Sequence, residues 1–464
     1  MEASTDIRGG PSSEEPESGF GRYFGLRERG TTIGTEIRAG LTTFMVMAYI
    51  IFVNPSILTA GFGDADAAFT VAALAAGTAL IAGIMTIAMG LVGRYPFALA
   101  AGLGINAIVA FTLTGRGLSP AGAMGVIVIE GLVVTVLVLV GLREAIMNAV
   151  PLALKRAIGV GIGLFILFIG FANGGLITAG SGTLVTVSFP ATAAQFVFLI
   201  GLVITIVLYV MKVRAALIIS ILATTIIALL WGVAKIPADF SVVPSFSTLG
   251  KFDLTEVFDA SKLPLIVALL TIFAIMLTDF FDTMGTVTGV AAEAGLAQPD
   301  GSVPGVGRVL LVDSLAAVAG GLGGVSSNTT YIESAAGVAE GGRTGLTSVV
   351  TGILFLLAVF LSPIAGIVPG VATAPALVLV GYLMFTLIKD IPVGDIEEGL
   401  PALLTMILMP LTYDITVGIG AGFISWVLIK VVRGKTAEIH WLMWVVAIAF
   451  LVFFAQAWIT TVIK

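Results

Sequence analysis

The sequence of 464 residues contains no cysteine and a single histidine, His440. Without cysteine the chain can form no disulfide framework, no thiolate metal site and no cysteine nucleophile. One histidine excludes a metal site built from a histidine cluster, and no metal or other cofactor is expected. Any proton transfer near neutral pH must therefore use aspartate and glutamate side chains.

Charge is also scarce. Only 11% of the residues are charged, whereas soluble domains carry about 25%. Hydrophobic residues make up 58% of the chain and the mean hydropathy is +1.12. A soluble protein of this size could not bury so much apolar surface. The net charge of −6 offers no basic surface for nucleic acid. These values indicate a polytopic, all-α membrane protein whose surroundings are the lipid bilayer.

The apolar stretches are long enough to cross a bilayer and follow one another with short polar breaks. We predict fourteen segments, at 37–61, 68–93, 97–115, 119–142, 151–173, 192–211, 214–234, 264–290, 304–322, 325–341, 344–363, 367–388, 397–412 and 414–432.

A polar stretch divides these segments into two sets of seven. The predicted regions are a polar cytoplasmic tail at 1–36, a first repeat at 37–234, an extracellular linker at 235–263, a second repeat at 264–433 and a C-terminal segment at 434–464. The tail lacks the apolar core of a signal peptide. The last region holds an apolar stretch, Trp441–Ile463, which is an additional span, an interfacial helix or part of a divided element.

Basic residues are distributed unequally between the predicted loops. With a cytoplasmic N-terminus, 17 of the 22 Lys and Arg residues fall inside and four fall outside, leaving Lys464 unassigned. The outside residues are Arg116, Lys235, Lys251 and Lys262. This bias follows the positive-inside rule. Because seven is odd, the second repeat enters the membrane in the opposite orientation, as in the inverted repeats of many secondary transporters.

The third segment of each repeat is interrupted at its start. Pro96 precedes the stretch 97–106, and four glycines within 320–324 precede the stretch 325–333. Glycine in membrane helices often serves only close packing. Interruptions at matching positions favour a substrate site instead, because unwound backbone is tolerated in a membrane where it lines a cavity.

Five acidic residues lie well inside the predicted segments, where a charge costs roughly 2.5–3.5 kcal/mol on insertion scales. They are Glu130, Asp279, Asp282, Asp313 and Glu333. The Lys and Arg residues of the segments lie towards the segment ends, so none is available at these depths to neutralise them. They must be protonated, hydrogen-bonded or exposed to a wet cavity, and a buried acid is a suitable proton carrier.

Asp279, Glu333 and Asn106 are the strongest candidates for substrate contact. Asp279 and Asp282 are three residues apart, so a helix places them on one face beside Thr283. Two carboxylates that close do not easily both ionise. Glu333 follows the second interruption, and Asn106 follows the first. The Asn106 carboxamide can donate and accept hydrogen bonds, as the edge of a heterocycle requires.

Each of these residues also has a structural interpretation. Asp282 and Asn106 could brace the interrupted segments, and Asp313 could satisfy backbone groups of the glycine-rich break. Glu130 could brace a contact between helices. We therefore treat Asp282, Thr283, Asp313, Thr330 and Glu130 as supporting residues. No Gly-x-x-x-x-Gly-Lys-Ser/Thr motif is present, which excludes P-loop ATP hydrolysis as the driving force.

Several motifs resemble the nucleobase–cation symporters, in particular the azaguanine-resistance branch of hypoxanthine, guanine and adenine permeases. They lie at Phe24–Thr32, Glu36–Phe44, Ala48–Pro55, Gly102–Ala107, Asp279–Thr286, Tyr331–Leu346 and Met409–Tyr413. The resemblance covers nearly the whole chain. It implies fourteen segments in two inverted repeats, a core and a gate domain, and short crossing strands in segments three and ten.

The resemblance also implies roles for particular residues. Asn106, Asp279 and Glu333 would bind a purine, and Glu333 or Asp279 would couple transport to a proton. We expect import of guanine or hypoxanthine in preference to adenine, by alternating access in the cytoplasmic membrane, and the family leaves a homodimer open. The alternatives are an anion transporter of the same architecture and a sodium-coupled nucleobase symporter. A membrane-embedded enzyme is disfavoured, because the sequence contains no Ser/His pair or metal cluster that could carry a reaction.

The charge bias predicts a cytoplasmic N-terminus and an extracellular linker. A topology reporter fused near Phe252 should therefore read as extracellular. The same reporter fused after Arg433 should read as cytoplasmic and serves as the control. A cytoplasmic signal near Phe252 would contradict the predicted orientation.

Overall fold

The computed structural model describes residues 19–63, 66–141, 149–180, 182–236, 241–259, 262, 264–298 and 302–462. Most of the predicted tail and parts of the predicted linker lie outside these residues, as do Arg8, Arg143 and Lys464 of the charge analysis. The described chain is predominantly helical. Within it, nine helices are long and apolar enough to cross a membrane by length and composition.

The first half of the chain contains nine helices and three short strands in the described residues. They are α1 (Gly19–Phe24), α2 (Ile33–Met47), α3 (Ile50–Phe62), α4 (Val71–Ala88), β1 (Leu99–Ala101), α5 (Leu103–Ala107), α6 (Pro120–Leu139), α7 (Leu152–Asn173), β2 (Ile177–Thr178), β3 (Thr186–Val187), α8 (Ala193–Val210) and α9 (Ala216–Leu230). Helices α4 and α5 continue as π-helical turns, Met89–Gly93 and Ile108–Leu113.

Within the described residues, the second half of the chain has ten helices and one strand. It contains α10 (Leu254–Val257), α11 (Leu265–Glu293), α12 (Val306–Leu322), β4 (Asn328–Thr330), α13 (Ser334–Ala339), α14 (Gly345–Ala358), α15 (Ser362–Ala365), α16 (Gly370–Phe385), α17 (Ile396–Thr412), α18 (Ile415–Val432) and α19 (Trp441–Val462). Each of the fourteen predicted segments overlaps one of these helices or strand–helix units. How many of them cross a membrane stays a prediction.

The helices pack into two bundles. The first bundle contains both interrupted segments and comprises α2–α6 and α11–α15, and the second comprises α7–α9 and α16–α18, with α19 packed on α18 and α11. Glycine allows close approach in each bundle. A Cβ on Gly83 would lie 2.9 Å from the Gly352 carbonyl oxygen, and one on Gly163 would lie 2.9 Å from the Gly381 carbonyl oxygen. Such contacts hold membrane helices together by packing.

Strands β1 and β4 pair with each other in the middle of the first bundle. They run antiparallel, with Leu99 opposite Thr330 and Ala101 opposite Asn328. All six residues are buried. The chain enters β4 through Gly324 and Ser326, which have φ angles of 68° and 73°. Such a φ is strained for serine, and strain of this kind is often found at functional sites.

The first bundle begins earlier than the sequence suggests, because α2 starts at Ile33 and buries Glu36 completely. The Glu36 carboxylate accepts hydrogen bonds from Arg343, Thr344 and Thr347 at the beginning of α14. It therefore satisfies N–H groups that a helix N-terminus leaves without partners. This contact joins the first helix of one repeat to the fourth segment of the other.

Candidate functional site

Asp313 holds strand β4 in place from the neighbouring helix α12. Its Oδ1 accepts hydrogen bonds from the backbone N–H and the hydroxyl of Thr330, at 2.9 and 2.8 Å, and its Oδ2 accepts one from the Thr283 hydroxyl at 2.7 Å. The Thr283 hydroxyl also lies 2.8 Å from the Thr329 hydroxyl. The network joins α11, α12 and β4, and it brings three of the predicted supporting residues together.

Asn106 lies on α5, directly after β1, and is completely buried. Neither atom of its carboxamide has a hydrogen-bond partner among the described residues. The same is true of Asn328, which lies at the start of β4, two residues before Thr330, and pairs with Ala101. An unsatisfied buried polar group costs about 1–3 kcal/mol. These amides can therefore form hydrogen bonds with a bound ligand, or with water that a ligand displaces.

Glu333 lies directly before α13, at the N-cap position of that helix. Its Oε1 accepts a hydrogen bond of 2.7 Å from the hydroxyl of Tyr49, at the joint between α2 and α3. In the described part of the chain this is the one hydrogen bond that another residue gives to the carboxyl group. Oε2 is therefore available to a ligand.

The two aspartates of α11 lie in different surroundings. Asp279 is completely buried, whereas Asp282 is exposed. The carboxylates that interact electrostatically with Asp282 are those of Glu333 and Asp313. Asp282 therefore interacts with carboxylates of two other elements.

Glu130 is buried on α6, which packs against α11 and α12. A Cβ on its neighbour Gly131 would lie 2.6 Å from the backbone nitrogen of Val318. The structure therefore places Glu130 at a tight contact between helices. No group of three His, Asp or Glu residues suited to a metal ion occurs in the described ranges.

The C-terminal half of α11 presents an open face. Asp282, Gly285 and Gly289 are exposed at helical spacing. A Cβ on Gly285 would meet no atom within 4 Å, and one on Gly289 would meet only Ile332, at 3.9 Å. Asp282 can therefore be reached from this end of the molecule.

At the opposite end the two bundles are in contact. Arg116, after α5, forms an ion pair of 2.5 Å with Asp414, which precedes α18. The hydroxyls of Ser56 on α3 and Thr373 on α16 lie 2.7 Å apart. A cavity of about 480 Å³ lies beside Ser56 and is lined by none of the predicted site residues. Polar contacts thus link the two bundles at this end.

The order of elements, the paired strands and the buried polar residues between them can be compared with known proteins. The model of a family described as a permease family matches residues 34–421. The chain belongs to this permease family. It is a multi-pass membrane transporter and not an enzyme, and the resemblance inferred from the sequence motifs is confirmed.

Its relatives in the family include transporters of several nucleobases. The chain is 40% identical to the guanine/hypoxanthine permease PbuG of Bacillus subtilis, over 93% of this chain and 98% of that one. It is 40% identical to the adenine permease AdeQ of Escherichia coli, over 94% and 96%. It is 35% identical to the guanine/hypoxanthine permease GhxP of Escherichia coli O157:H7, over 94% and 96%.

Solved structures with the same fold have other functions. The transmembrane domain of the cyanobacterial bicarbonate transporter BicA is 16% identical, with a TM-score of 0.63 over 84% of this chain and 96% of that one. The murine anion transporter Slc26a9, in its inward-facing state, is 11% identical, with a TM-score of 0.63 over 92% and 74%. At these identities the likeness concerns the fold alone.

Sequence reasoning missed Tyr49 and Asn54, which both lie in the motif Ala48–Pro55. Asn54 donates to the Thr78 hydroxyl and to the Val325 carbonyl, at 2.8 and 3.1 Å, and so supports the glycine-rich break. The signal in the sequence is an uncharged polar side chain within an apolar segment, which is weaker than that of an ionisable group.

The hydrogen bonds of Asp313 predict a structural role in holding β4. Asp313→Ala should lower the free energy of unfolding by about 2 kcal/mol or more, because buried donors of Thr330 and Thr283 lose their acceptor. Thermal unfolding of the purified permease in detergent measures this change. Ser314→Ala is the matched control, since Ser314 is equally buried and bonds only within its own helix. Equal melting temperatures for the two variants would contradict the assigned role.

Proposed function

We propose that this permease imports purine nucleobases together with protons, by alternating access across the cytoplasmic membrane. The observation that carries the proposal is the pair of groups that follow the two crossing strands. Asn106 presents a buried carboxamide without partners, and Glu333 presents a carboxyl oxygen free to bind. PbuG, AdeQ and GhxP, named for guanine, hypoxanthine or adenine transport, support a purine as the substrate.

The chemistry of these groups suits a purine edge. A purine base displays ring nitrogens, N–H groups and exocyclic groups in one plane, so it both donates and accepts. A carboxamide provides both functions, and a carboxyl group accepts when ionised and also donates when protonated. Asn106, Asp279 and Glu333 would hold the base between the two repeats, while Asp313, Thr283 and Thr330 keep the strand in place. Glu130 and Asp282 support this arrangement.

Proton coupling follows from the crowding of carboxylates. Asp282 interacts with both Glu333 and Asp313, and neighbouring negative charges oppose simultaneous ionisation. In this proposal Glu333 or Asp279 takes up a proton when the purine binds and releases it to the cytoplasm with the substrate. Loading and protonation then stabilise each other, as linkage requires.

The two bundles supply the moving parts. The first bundle would serve as the core and the second as the gate, contributing eight and six of the fourteen proposed spans, with the N-terminus in the cytoplasm. The contacts Arg116–Asp414 and Ser56–Thr373 would close the extracellular side, while the open face of α11 leads to the cytoplasm. Rocking of one bundle against the other would break the first set of contacts and cover the second. A homodimer stays an expectation of the resemblance.

Asn106→Ala tests substrate recognition. Loss of the carboxamide should weaken hypoxanthine binding by about 1–3 kcal/mol, which is about fivefold to 150-fold, while the protein remains folded. Binding of radiolabelled hypoxanthine to purified protein provides the measurement. Thr112→Val is the control, because it removes another buried polar group of the same segment. Unchanged affinity in Asn106→Ala would reduce Asn106 to a brace of the interrupted segment.

Neutral substitutions of the acids test coupling. Glu333→Gln cannot release a proton, so concentrative uptake by proteoliposomes should be abolished even if binding survives. Asp279→Asn should have the same effect if Asp279 is the carrier, and otherwise should mainly reduce affinity. Uptake should collapse with a protonophore and continue without sodium.

Uptake that requires sodium but ignores a protonophore would contradict proton coupling and favour a sodium symporter, since carboxylates also bind Na⁺. Accumulation in both neutral variants would overturn the assignment of these residues. Transport of bicarbonate or chloride in place of purine would favour the anion transporters that share the fold.

A further inference from the structure

Tyr49 occupies an unusual position in the first bundle. It stands at the joint where α2 ends and α3 begins, and its side chain is completely buried. Its hydroxyl donates to Glu333 Oε1 at 2.7 Å. A buried tyrosine hydroxyl requires a hydrogen-bond partner. Here that partner is an acid that we assign to substrate binding.

We propose that Tyr49 is a positioning residue that fixes the Glu333 carboxyl group and directs its proton to Oε2. This inference rests on the proposed function, in which Glu333 binds the purine and a proton. A tyrosine hydroxyl has a single proton to donate. When that proton is given to Oε1, this oxygen acts as an acceptor. The proton of a protonated Glu333 then belongs on Oε2, the oxygen that remains available to the substrate.

The other polar groups near Glu333 are not observed to donate a hydrogen bond to its carboxyl group in the described residues. Asp282 is an acid and repels an ionised Glu333. The hydroxyl of Tyr331 donates to the Ala101 carbonyl on β1 and so is committed to the strands. Among the described residues, Tyr49 is therefore the one donor observed on Glu333 from another part of the chain.

The packing indicates that the Tyr49–Glu333 contact persists during transport. A Cβ on Gly337 of α13 would lie 2.1 Å from the Thr43 hydroxyl and 2.7 Å from the Ala39 carbonyl, both on α2. Helices this close move together as one unit. Tyr49 therefore accompanies Glu333 in every state of the cycle and acts on its protonation, and it is not a gate that opens.

Tyr49→Phe tests the inference with little change in shape. A hydrogen bond to an ionised carboxylate is stronger than one to its neutral form. Without Tyr49 as donor, Glu333 should hold its proton to higher pH. Hypoxanthine binding by the purified full-length protein should therefore remain within about threefold of the wild type at low pH, while the midpoint of its pH profile rises by about 1 unit.

A second variant should shift the midpoint of the pH profile of hypoxanthine binding in the opposite direction. 3-Fluorotyrosine incorporated at position 49 keeps the hydroxyl but makes it a more acidic and stronger donor. The ionised form of Glu333 is then stabilised further, so the midpoint should fall. This variant also keeps the test decisive if Tyr49→Phe does not fold. A midpoint that is unchanged in the variants obtained would overturn the inference.

Two controls distinguish a failure of the inference about Tyr49 from a failure of the proposed proton role of Glu333. Tyr95→Phe removes another tyrosine hydroxyl, which donates to the Pro304 carbonyl at 2.7 Å, and should leave the pH midpoint unchanged. Glu333→Gln should remove the pH dependence of binding that Glu333 provides. If Glu333→Gln leaves the profile intact, the proposed proton role of Glu333 fails. If Glu333→Gln flattens the profile while the Tyr49 variants leave the midpoint in place, only the role of Tyr49 fails.

Discussion

The pairing of β1 with β4 is the constraint on which the rest of the molecule depends. Extended backbone in an apolar interior leaves N–H and C=O groups unsatisfied, at a cost of several kcal/mol each. Each interrupted segment satisfies backbone groups of the other through this pairing, so the two interruptions depend on each other. Their outer edges are satisfied by side chains of the preceding helices. Thr86 bonds both backbone groups of Leu99, and Asp313 accepts from Thr330.

This arrangement fixes where the functional groups lie. Each strand is followed at once by a short helix, so Asn106 and Glu333 are held close to the strand ends by backbone that cannot shift without breaking the pairing. The segments that follow β1 and β4 carry different polar groups, a carboxamide at Asn106 and a carboxyl group at Glu333. A carboxamide does not titrate, whereas a carboxyl group can also carry charge.

The sequence predicted more of the fold than of the site. Apolar length located the helices, and Pro96 and the glycines before Val325 located the two interruptions, because these signals are local. Contacts between distant residues leave no such signal. Nothing in the sequence indicates that Glu36 caps α14 or that Tyr49 reaches Glu333, 284 positions away. Local patterns also do not reveal that Asp282 interacts with Glu333 and Asp313, which are distant from it in sequence.

The same fold serves anion transport in BicA and Slc26a9, so architecture alone does not choose the substrate. In our proposal the polar groups beside the strands determine which substrate binds. In this permease the N-cap position of α13 is taken by Glu333, so a negative charge of the protein itself occupies the place that favours an anion at a helix N-terminus. Asp282 adds a second carboxylate nearby. An incoming anion would be repelled by both, whereas an uncharged heterocycle that arrives with a proton reduces the local charge and gains hydrogen bonds.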